Sequence, residues 1–159
     1  MNNNLYSLFE SRFPADRNRP LLILDDGRQV SYADAAAGSA RYASLLSSLD
    51  VSPGDRVAVQ VEKSAEALLV YLACLRAGLV YLPLNSAYQE GEVGYFLRDA
   101  EPRVVIAQPS SMGWLTPLAR RVGIENVFSL GEDGKGSWTD AAARHGTSGS
   151  TFAATSIEP

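Results

Sequence analysis

The segment Glu62-Lys63-Ser64 joins an apolar run to an apolar helical pattern, and its residue types suit ligand binding. In open α/β sheets, ligands bind beyond the carboxyl ends of the strands, where Lys63 and Ser64 would lie. The Lys63 ammonium would attract an anion, and the N–H groups at the start of a helix would add to that attraction. The alternative, which we favour, is that Ser64 only caps the helix and Lys63 is only exposed. Because of their position beyond a strand end, Lys63 and Ser64 are still candidates for cofactor binding.

A second candidate for phosphate binding is the run from Gly131 to Ser137, in which Gly, Lys and Ser follow in that order. Its spacing differs from the G-x-x-x-x-G-K-[ST] pattern of a P-loop, and Glu132 and Asp133 would repel a phosphate. We therefore predict a surface turn there. No G-x-G-x-x-G pattern follows a predicted strand, so a dinucleotide fingerprint is absent from the sequence.

Histidine and cysteine chemistry has little basis in this chain, which contains one residue of each. His145 stands in a polar stretch with no cysteine or carboxylate at a ligand or relay spacing, which predicts a solvated side chain. Cys74 stands inside an apolar helical pattern, where a free cysteine behaves as a small hydrophobic residue. We therefore predict no catalytic histidine or cysteine and no metal site in this chain.

Composition excludes several classes of protein. The chain has 159 residues, 46% of them hydrophobic, and a formal charge of −4. That is too apolar for a disordered chain, yet no window approaches the ~20 apolar residues of a membrane-spanning helix. The acidity gives no support to nucleic-acid binding. A single cysteine fits a reducing compartment, and the first residues lack the basic region of a signal peptide, so we expect a cytoplasmic protein.

The elements that must position these residues follow from the hydrophobic pattern. Leu5, Leu8 and Phe9 predict a short helix, and two short runs joined by Asp26-Gly27 predict a hairpin. Four apolar runs, separated by helical patterns, then predict strands: Val57–Val61, Leu79–Leu84, Val104–Ala107 and Val127–Leu130. Strands that are apolar throughout are typical of parallel sheets covered on both faces. The predicted fold is α/β, with a mostly parallel sheet, helices on both faces, and entry through an N-terminal hairpin and helix.

The predicted helices have recognisable ends. Ser31 and Asp34 have the spacing of a helix N-terminus, and Ser64 starts a helix that ends near Arg76. Gly78 follows it as the expected left-handed C-terminal residue. The helix that Ser64 starts is apolar nearly all round, so it must be covered on several sides. We place an α/β domain at residues 1–144 and a polar linker or frayed tail at residues 145–159, which are rich in Gly, Ser and Thr.

Three segments resemble those of a known superfamily. Val30-Ser31-Tyr32-Ala33-Asp34 resembles the "TYxEL" element of acyl-adenylating enzymes, and the run from Leu75 to Asn85 resembles their "LKAGxAYVPLD" element. The run from Tyr95 to Pro102 is similar to the continuation of that element. This superfamily comprises acyl-CoA synthetases, luciferases and the adenylation domains of peptide synthetases. Details at Glu62–Leu68, Leu82–Tyr88 and Asp133–Ala143 look most like malonate–CoA ligases.

The resemblance implies a two-step reaction in a longer parent enzyme. A carboxylate such as malonate attacks the α-phosphate of ATP, held with Mg²⁺, and gives an acyl-AMP and pyrophosphate. The thiol of CoA then displaces AMP, which gives malonyl-CoA. The rest of the ligase would comprise a second α/β subdomain, a barrel and a mobile C-terminal domain, and these would be the partners of this chain.

The departures from the family pattern matter for activity. The family's phosphate loop, "YTSGTTGxPKG", is absent, and Thr147–Thr151 shares only some of its letters. The adenine-side motif, the magnesium-binding Glu, the ribose-binding Asp and the catalytic Lys of the family are absent as well. The resemblance therefore implies an N-terminal fragment that is inactive in isolation and binds neither ATP, Mg²⁺ nor CoA tightly. Such a fragment is expected to expose apolar surface and to self-associate through it.

Two other functions stay open at this stage. One is a stand-alone α/β binding or interaction module without catalysis, since a fold does not fix a function. The other is a flavodoxin-like domain that binds a small molecule near Glu62–Ser64. In either case we expect no nucleic-acid or membrane partner.

Overall fold

The fold is described from a computed structural model, which covers residues 3–146 and 152–157. The first part of the chain forms the following elements: α1 (Leu5–Ser11), β1 (Pro20–Ile23), β2 (Gln29–Ser31), α2 (Tyr32–Ser47), β3 (Arg56–Gln60) and α3 (Ala65–Arg76). The second part forms these: β4 (Val80–Pro83), α4 (Glu90–Ala100), β5 (Val104–Ala107), a short 3₁₀ turn (Pro109–Ser111), α5 (Met112–Arg121), β6 (Asn126–Ser129) and α6 (Ser137–His145).

The four predicted apolar runs form one parallel sheet. Its strand order is β4-β3-β5-β6, with β3 and β5 at the centre, and every neighbouring pair is parallel. In the register, Val57 of β3 lies opposite Tyr81 of β4 and Val104 of β5. β1 and β2 form a separate antiparallel hairpin. The predicted α/β class, the parallel sheet and the entry through a helix and hairpin are confirmed.

Helices cover both faces of the sheet because successive strand residues point to opposite sides. Val57 and Val59 of β3 belong to the core formed with α1, α2, α3 and α6, whereas Ala58 belongs to the core formed with α4 and α5. The sheet is therefore the middle of three layers. The described part of the chain contains no helix that is both long and apolar enough to cross a membrane.

α3 is the helix that the sequence predicted to be covered on several sides, and it lies between the sheet and helices α1 and α2. Gly78 follows its end with φ of +73°, and the Leu79 N–H donates to the Cys74 carbonyl at 2.8 Å. This geometry satisfies a carbonyl of the last turn, as predicted for a left-handed C-terminal residue. Cys74 is fully buried, and burial raises the pKa of its thiol to about 12.

The helix start predicted at Ser31 is confirmed. The Asp34 N–H donates to the Ser31 hydroxyl at 3.0 Å, and the Ser31 N–H donates to the Asp34 carboxylate at 2.9 Å. This reciprocal pair is a capping box. The hydrogen bonds from the side chain and backbone of Ser31 lower the pKa of the Asp34 carboxyl.

Residues 152–157 belong to the segment predicted as a polar linker or frayed tail, and that assignment stays a prediction. These residues lie against α1 and α3, and Phe152 and Ala154 pack on the larger core. The composition of residues 145–159 did not indicate this packing, because it is made by main-chain hydrogen bonds and by Phe152 and Ala154. Thr147–Thr151 lie outside the described residues, and the domain boundary at residue 144 stays a prediction.

Glu101 ends α4 in a left-handed conformation, with φ of 46° and ψ of 53°. A side chain in that conformation is strained, and a carboxylate at a helix C-terminus is repelled by the helix dipole. We expect Glu101→Gly to raise the free energy of unfolding by about 0.5–1 kcal/mol, measured by urea denaturation. Glu101→Ala, which removes the charge but keeps Cβ, should raise the free energy of unfolding by less than Glu101→Gly does. A Glu101→Gly protein no more stable than the original would show that this residue is not strained.

Candidate functional site

The carboxyl ends of the parallel strands open onto a cleft that contains both predicted site residues. Lys63 and Ser64 line a cavity of about 320 Å³ at the start of α3. The hairpin turn and the loop after β6 form its other walls. The lining residues are Leu24, Asp25, Asp26, Arg28, Lys63, Ser64, Ala65, Glu66, Glu132, Asp133 and Gly134.

Ser64 acts as the N-cap of α3. Its hydroxyl accepts a hydrogen bond from the Ala67 N–H at 3.1 Å. Lys63 is exposed beside it. This geometry agrees with the favoured alternative, a cap beside an exposed lysine. An anion-binding role for Lys63 and Ser64 stays a prediction.

The charge of the cleft opposes phosphate binding. Five lining residues are carboxylates, whereas Arg28 and Lys63 are the two cations. Arg28 is already paired with Asp26, at 2.6 Å between Nε and Oδ2. The excess of negative charge raises the energy of a phosphate in this cavity. Among the residues that the structure describes, no group of three or more His, Cys, Asp or Glu is arranged to hold a metal ion.

Glu66, which lines the same cleft, is held from the side of α2. Its carboxylate accepts a hydrogen bond from the Tyr42 hydroxyl. Burial, followed by that hydrogen bond and the charge of Glu66, raises the pKa of Tyr42. Tyr42 also packs edge-to-face on Trp138 of α6, with 5.2 Å between the ring centroids. Glu66 is therefore a bridge between α2 and α3 as well as a wall of the cleft.

The loop from Gly131 to Ser137 is a turn, and some of its N–H groups donate hydrogen bonds within the loop. The Gly131 N–H donates to the Lys135 carbonyl at 2.7 Å, and the Gly134 N–H donates to the Gly131 carbonyl at 3.0 Å. A Cβ on Gly136 would lie 2.2 Å from the Ser129 carbonyl oxygen, so packing against β6 requires glycine there. The predicted surface turn is confirmed, and these N–H groups are not available to a phosphate.

Sequence reasoning missed the contacts that Gln60 and His145 make. Gln60, the last residue of β3, is fully buried, and its Nε2 donates to the carbonyls of Asn85 and Tyr88 at 3.0 and 2.8 Å. Its Oε1 has no hydrogen-bond partner within the described part of the chain. Gln60 thus fixes the loop after β4, and the only sequence signal for this was a single amide residue in an otherwise apolar strand.

His145, predicted to be solvated, is half-buried, with Nε2 3.0 Å from the Ser44 hydroxyl.

The chain belongs to the AMP-binding enzyme family, whose sequence profile matches residues 9–149. This family comprises adenylate-forming ligases, so the predicted membership is confirmed. The chain is similar over 99% of its length to the crystal structure of apo MatB from Rhodopseudomonas palustris, with 42% identity and a TM-score of 0.91. The ATP-bound form of MatB gives the same values.

Curated relatives match a shorter part of the chain. AMB antimetabolite synthetase AmbB of Pseudomonas aeruginosa is 34% identical over 116 residues, which are 73% of this chain and 9% of that protein. Tyrocidine synthase 1 of Brevibacillus parabrevis is 29% identical over 107 residues, which are 67% of this chain and 10% of that protein. The chain therefore spans about a tenth of these relatives, and it spans 30% of the MatB chain.

We expect Ser64→Ala to lower the free energy of unfolding by about 1 kcal/mol, because the cap on the Ala67 N–H is lost. Lys63→Ala should change it by less than about 0.5 kcal/mol, as is usual for an exposed side chain. Ser47→Ala, at an exposed serine in the last turn of α2, is the matched control. A rise in melting temperature with added pyrophosphate that disappears in Lys63→Ala would contradict the role of a cap alone.

Proposed function

We propose that this chain is the N-terminal α/β subdomain of an ATP-dependent acid–CoA ligase that acts on malonate. The whole enzyme would convert malonate, ATP and CoA to malonyl-CoA, AMP and pyrophosphate, with Mg²⁺. The observation that carries this proposal is the 42% identity to MatB over 99% of the chain. Identity falls to 20% for an anthranilate CoA ligase and to 19% for a benzoate CoA ligase of the same fold. The malonate assignment rests on the resemblance of Glu62–Leu68, Leu82–Tyr88 and Asp133–Ala143 to malonate–CoA ligases.

The isolated chain is proposed to be inactive. Two features support weak binding of ATP and Mg²⁺: the cleft at Lys63 is acidic, and the Gly131 and Gly134 N–H groups of the neighbouring loop are bonded within the loop. Stabilising the charge that develops on the α-phosphate requires preorganised donors and cations. In this cleft the carboxylates outnumber the cations. The chemistry would come from the rest of the ligase: a second α/β subdomain, a barrel and a mobile C-terminal domain. This subdomain would form one wall of the active-site cleft and support its neighbour, in the cytoplasm.

Apolar side chains at the surface support contact with other parts of such an enzyme. Leu5 and Leu8 of α1 are 41% and 53% exposed, and Ile23 of β1 is 70% exposed. A largely apolar groove of about 370 Å³ lies between α1, the hairpin and α3, and it is lined by Phe9, Arg12, Phe13, Leu21, Tyr32, Leu68, Tyr71 and Leu72. In the isolated chain the same surface would promote self-association.

Replacing the corresponding segment of R. palustris MatB by this chain tests the function directly. The chimera should form malonyl-CoA from malonate, ATP, Mg²⁺ and CoA, because the supplied subdomain has the same fold. The isolated chain should release no pyrophosphate and form no malonyl-CoA above the blank. MatB lacking its own N-terminal segment is the control. A folded but inactive chimera would contradict the proposed function, and turnover by the chain alone would contradict its inactivity.

Self-association is expected to depend on α1. Sedimentation of the isolated chain at increasing concentration should show dimers or larger species, and Leu5→Ser with Leu8→Ser should shift the distribution to monomer. The exposed Ser47→Ala variant should behave as the original. A strictly monomeric chain at high concentration would show that this surface does not associate.

A further inference from the structure

Arg76 is a buried cation at the end of α3. Its exposed fraction is 8%, and no ion pair joins it to a carboxylate of the described residues. A buried charge without a charged partner is costly unless hydrogen bonds replace the water that it loses. The acceptors that replace this water show what Arg76 does.

The acceptors come from three different parts of the chain. Nη1 donates to the Tyr6 hydroxyl of α1 at 2.8 Å, and to the Ala36 carbonyl and Ser39 hydroxyl of α2 at 2.9 and 3.2 Å. Nε donates to the Phe152 carbonyl at 2.6 Å. The guanidinium carbon also lies 4.5 Å from the centroid of the Tyr6 ring. One side chain of α3 thus binds α1, α2 and the segment 152–157.

Main-chain groups and the Asn4 side chain add further bonds around the same segment. The Thr155 N–H donates to the Arg76 carbonyl at 2.8 Å. Nδ2 of Asn4 donates to the Leu75 carbonyl at 2.9 Å and to the Thr155 carbonyl at 3.0 Å. The Asn3 N–H donates to the Ile157 carbonyl at 3.2 Å. The segment is therefore held by polar contacts on the surface of α1 and α3, with Phe152 and Ala154 only partly buried on the core.

We propose that Arg76 is a positioning residue that fixes the path of residues 152–157 across α1 and α3. The role of Arg76 in the ligase, which rests on the proposed function, is to set where the chain leaves this subdomain for the next one. Lysine cannot replace it, because a single ammonium lacks the planar fork that reaches α2 and Phe152 together. No residue of this short segment is fully buried, so apolar burial is too small to hold it in one path and the directional bonds decide it.

Hydrogen exchange on the isolated 159-residue chain tests this role. In Arg76→Lys the Thr155 amide should exchange about tenfold faster or more, since the charged hydrogen bond that anchors the segment at the Phe152 carbonyl is lost. The amides of Val105 and Ile106 in the central strand should keep their rates. Arg120→Lys, an exposed arginine in the last turn of α5, is the control and should change neither. An unchanged Thr155 rate, or equal acceleration in the central strand, would overturn the proposal.

A second variant leaves Arg76 intact. Thr155→Pro removes the N–H that bonds to the Arg76 carbonyl, so the segment should loosen while α3 stays folded. The Nε–H proton of Arg76, observed by NMR and assigned by its loss in Arg76→Lys, should be protected in the original chain. Thr155→Pro should accelerate its exchange by about tenfold or more, because the Phe152 carbonyl leaves. An Nε–H that exchanges freely in the original chain would overturn the proposal.

The MatB chimera connects this role to the reaction. With an active parent chimera, Arg76→Lys should lower kcat for malonyl-CoA formation about tenfold, because a small displacement of positioned groups is costly. The KM for malonate should change less, and Arg120→Lys should match the parent. An unchanged kcat beside a loosened segment would overturn the link to the reaction. An inactive parent chimera would count against the proposed function, whereas the exchange measurements test Arg76 independently of it.

Discussion

The central strands have to be covered on both faces, and the rest of the structure follows from that requirement. Val57, Ala58 and Val59 of β3 are all buried, although successive residues point to opposite sides. One helical layer therefore cannot complete the core, and the chain places α1, α2, α3 and α6 on one face and α4 and α5 on the other. The same arrangement sends the loops after β3, β5 and β6 to one end of the sheet, where the cleft forms.

Sequence patterns predicted the fold because its driving force is periodic burial. Apolar runs identified the four strands, and Ser31, Ser64 and Gly78 identified helix ends through local hydrogen bonds. The packing of residues 152–157 was missed because it depends on a buried guanidinium 76 residues earlier in the chain. No local pattern reveals a contact between the Arg76 side chain and a main-chain carbonyl at such a separation.

The place of Lys63 and Ser64 in the fold was predictable from the sequence, whereas the full set of charges around them was not. Lys63 and Ser64 lie at the carboxyl ends of the strands, where the rule for α/β sheets places ligands. Whether such a cleft favours an anion depends on residues brought there from distant turns, and here Asp25 and Glu132 make it acidic. The loop after β6 shows the same limit, because the requirement for glycine at position 136 comes from its contact with Ser129 in the folded chain.

The hydrogen bond between the Asn3 N–H and the Ile157 carbonyl brings the start and the end of the described chain together. A unit whose entry and exit lie at one point can be exchanged or inserted without moving its neighbours apart. In the multidomain ligase proposed above, this geometry would separate two tasks. The sheet and its layers could vary to suit a partner or a substrate, while the attachment to the rest of that ligase would keep the same place.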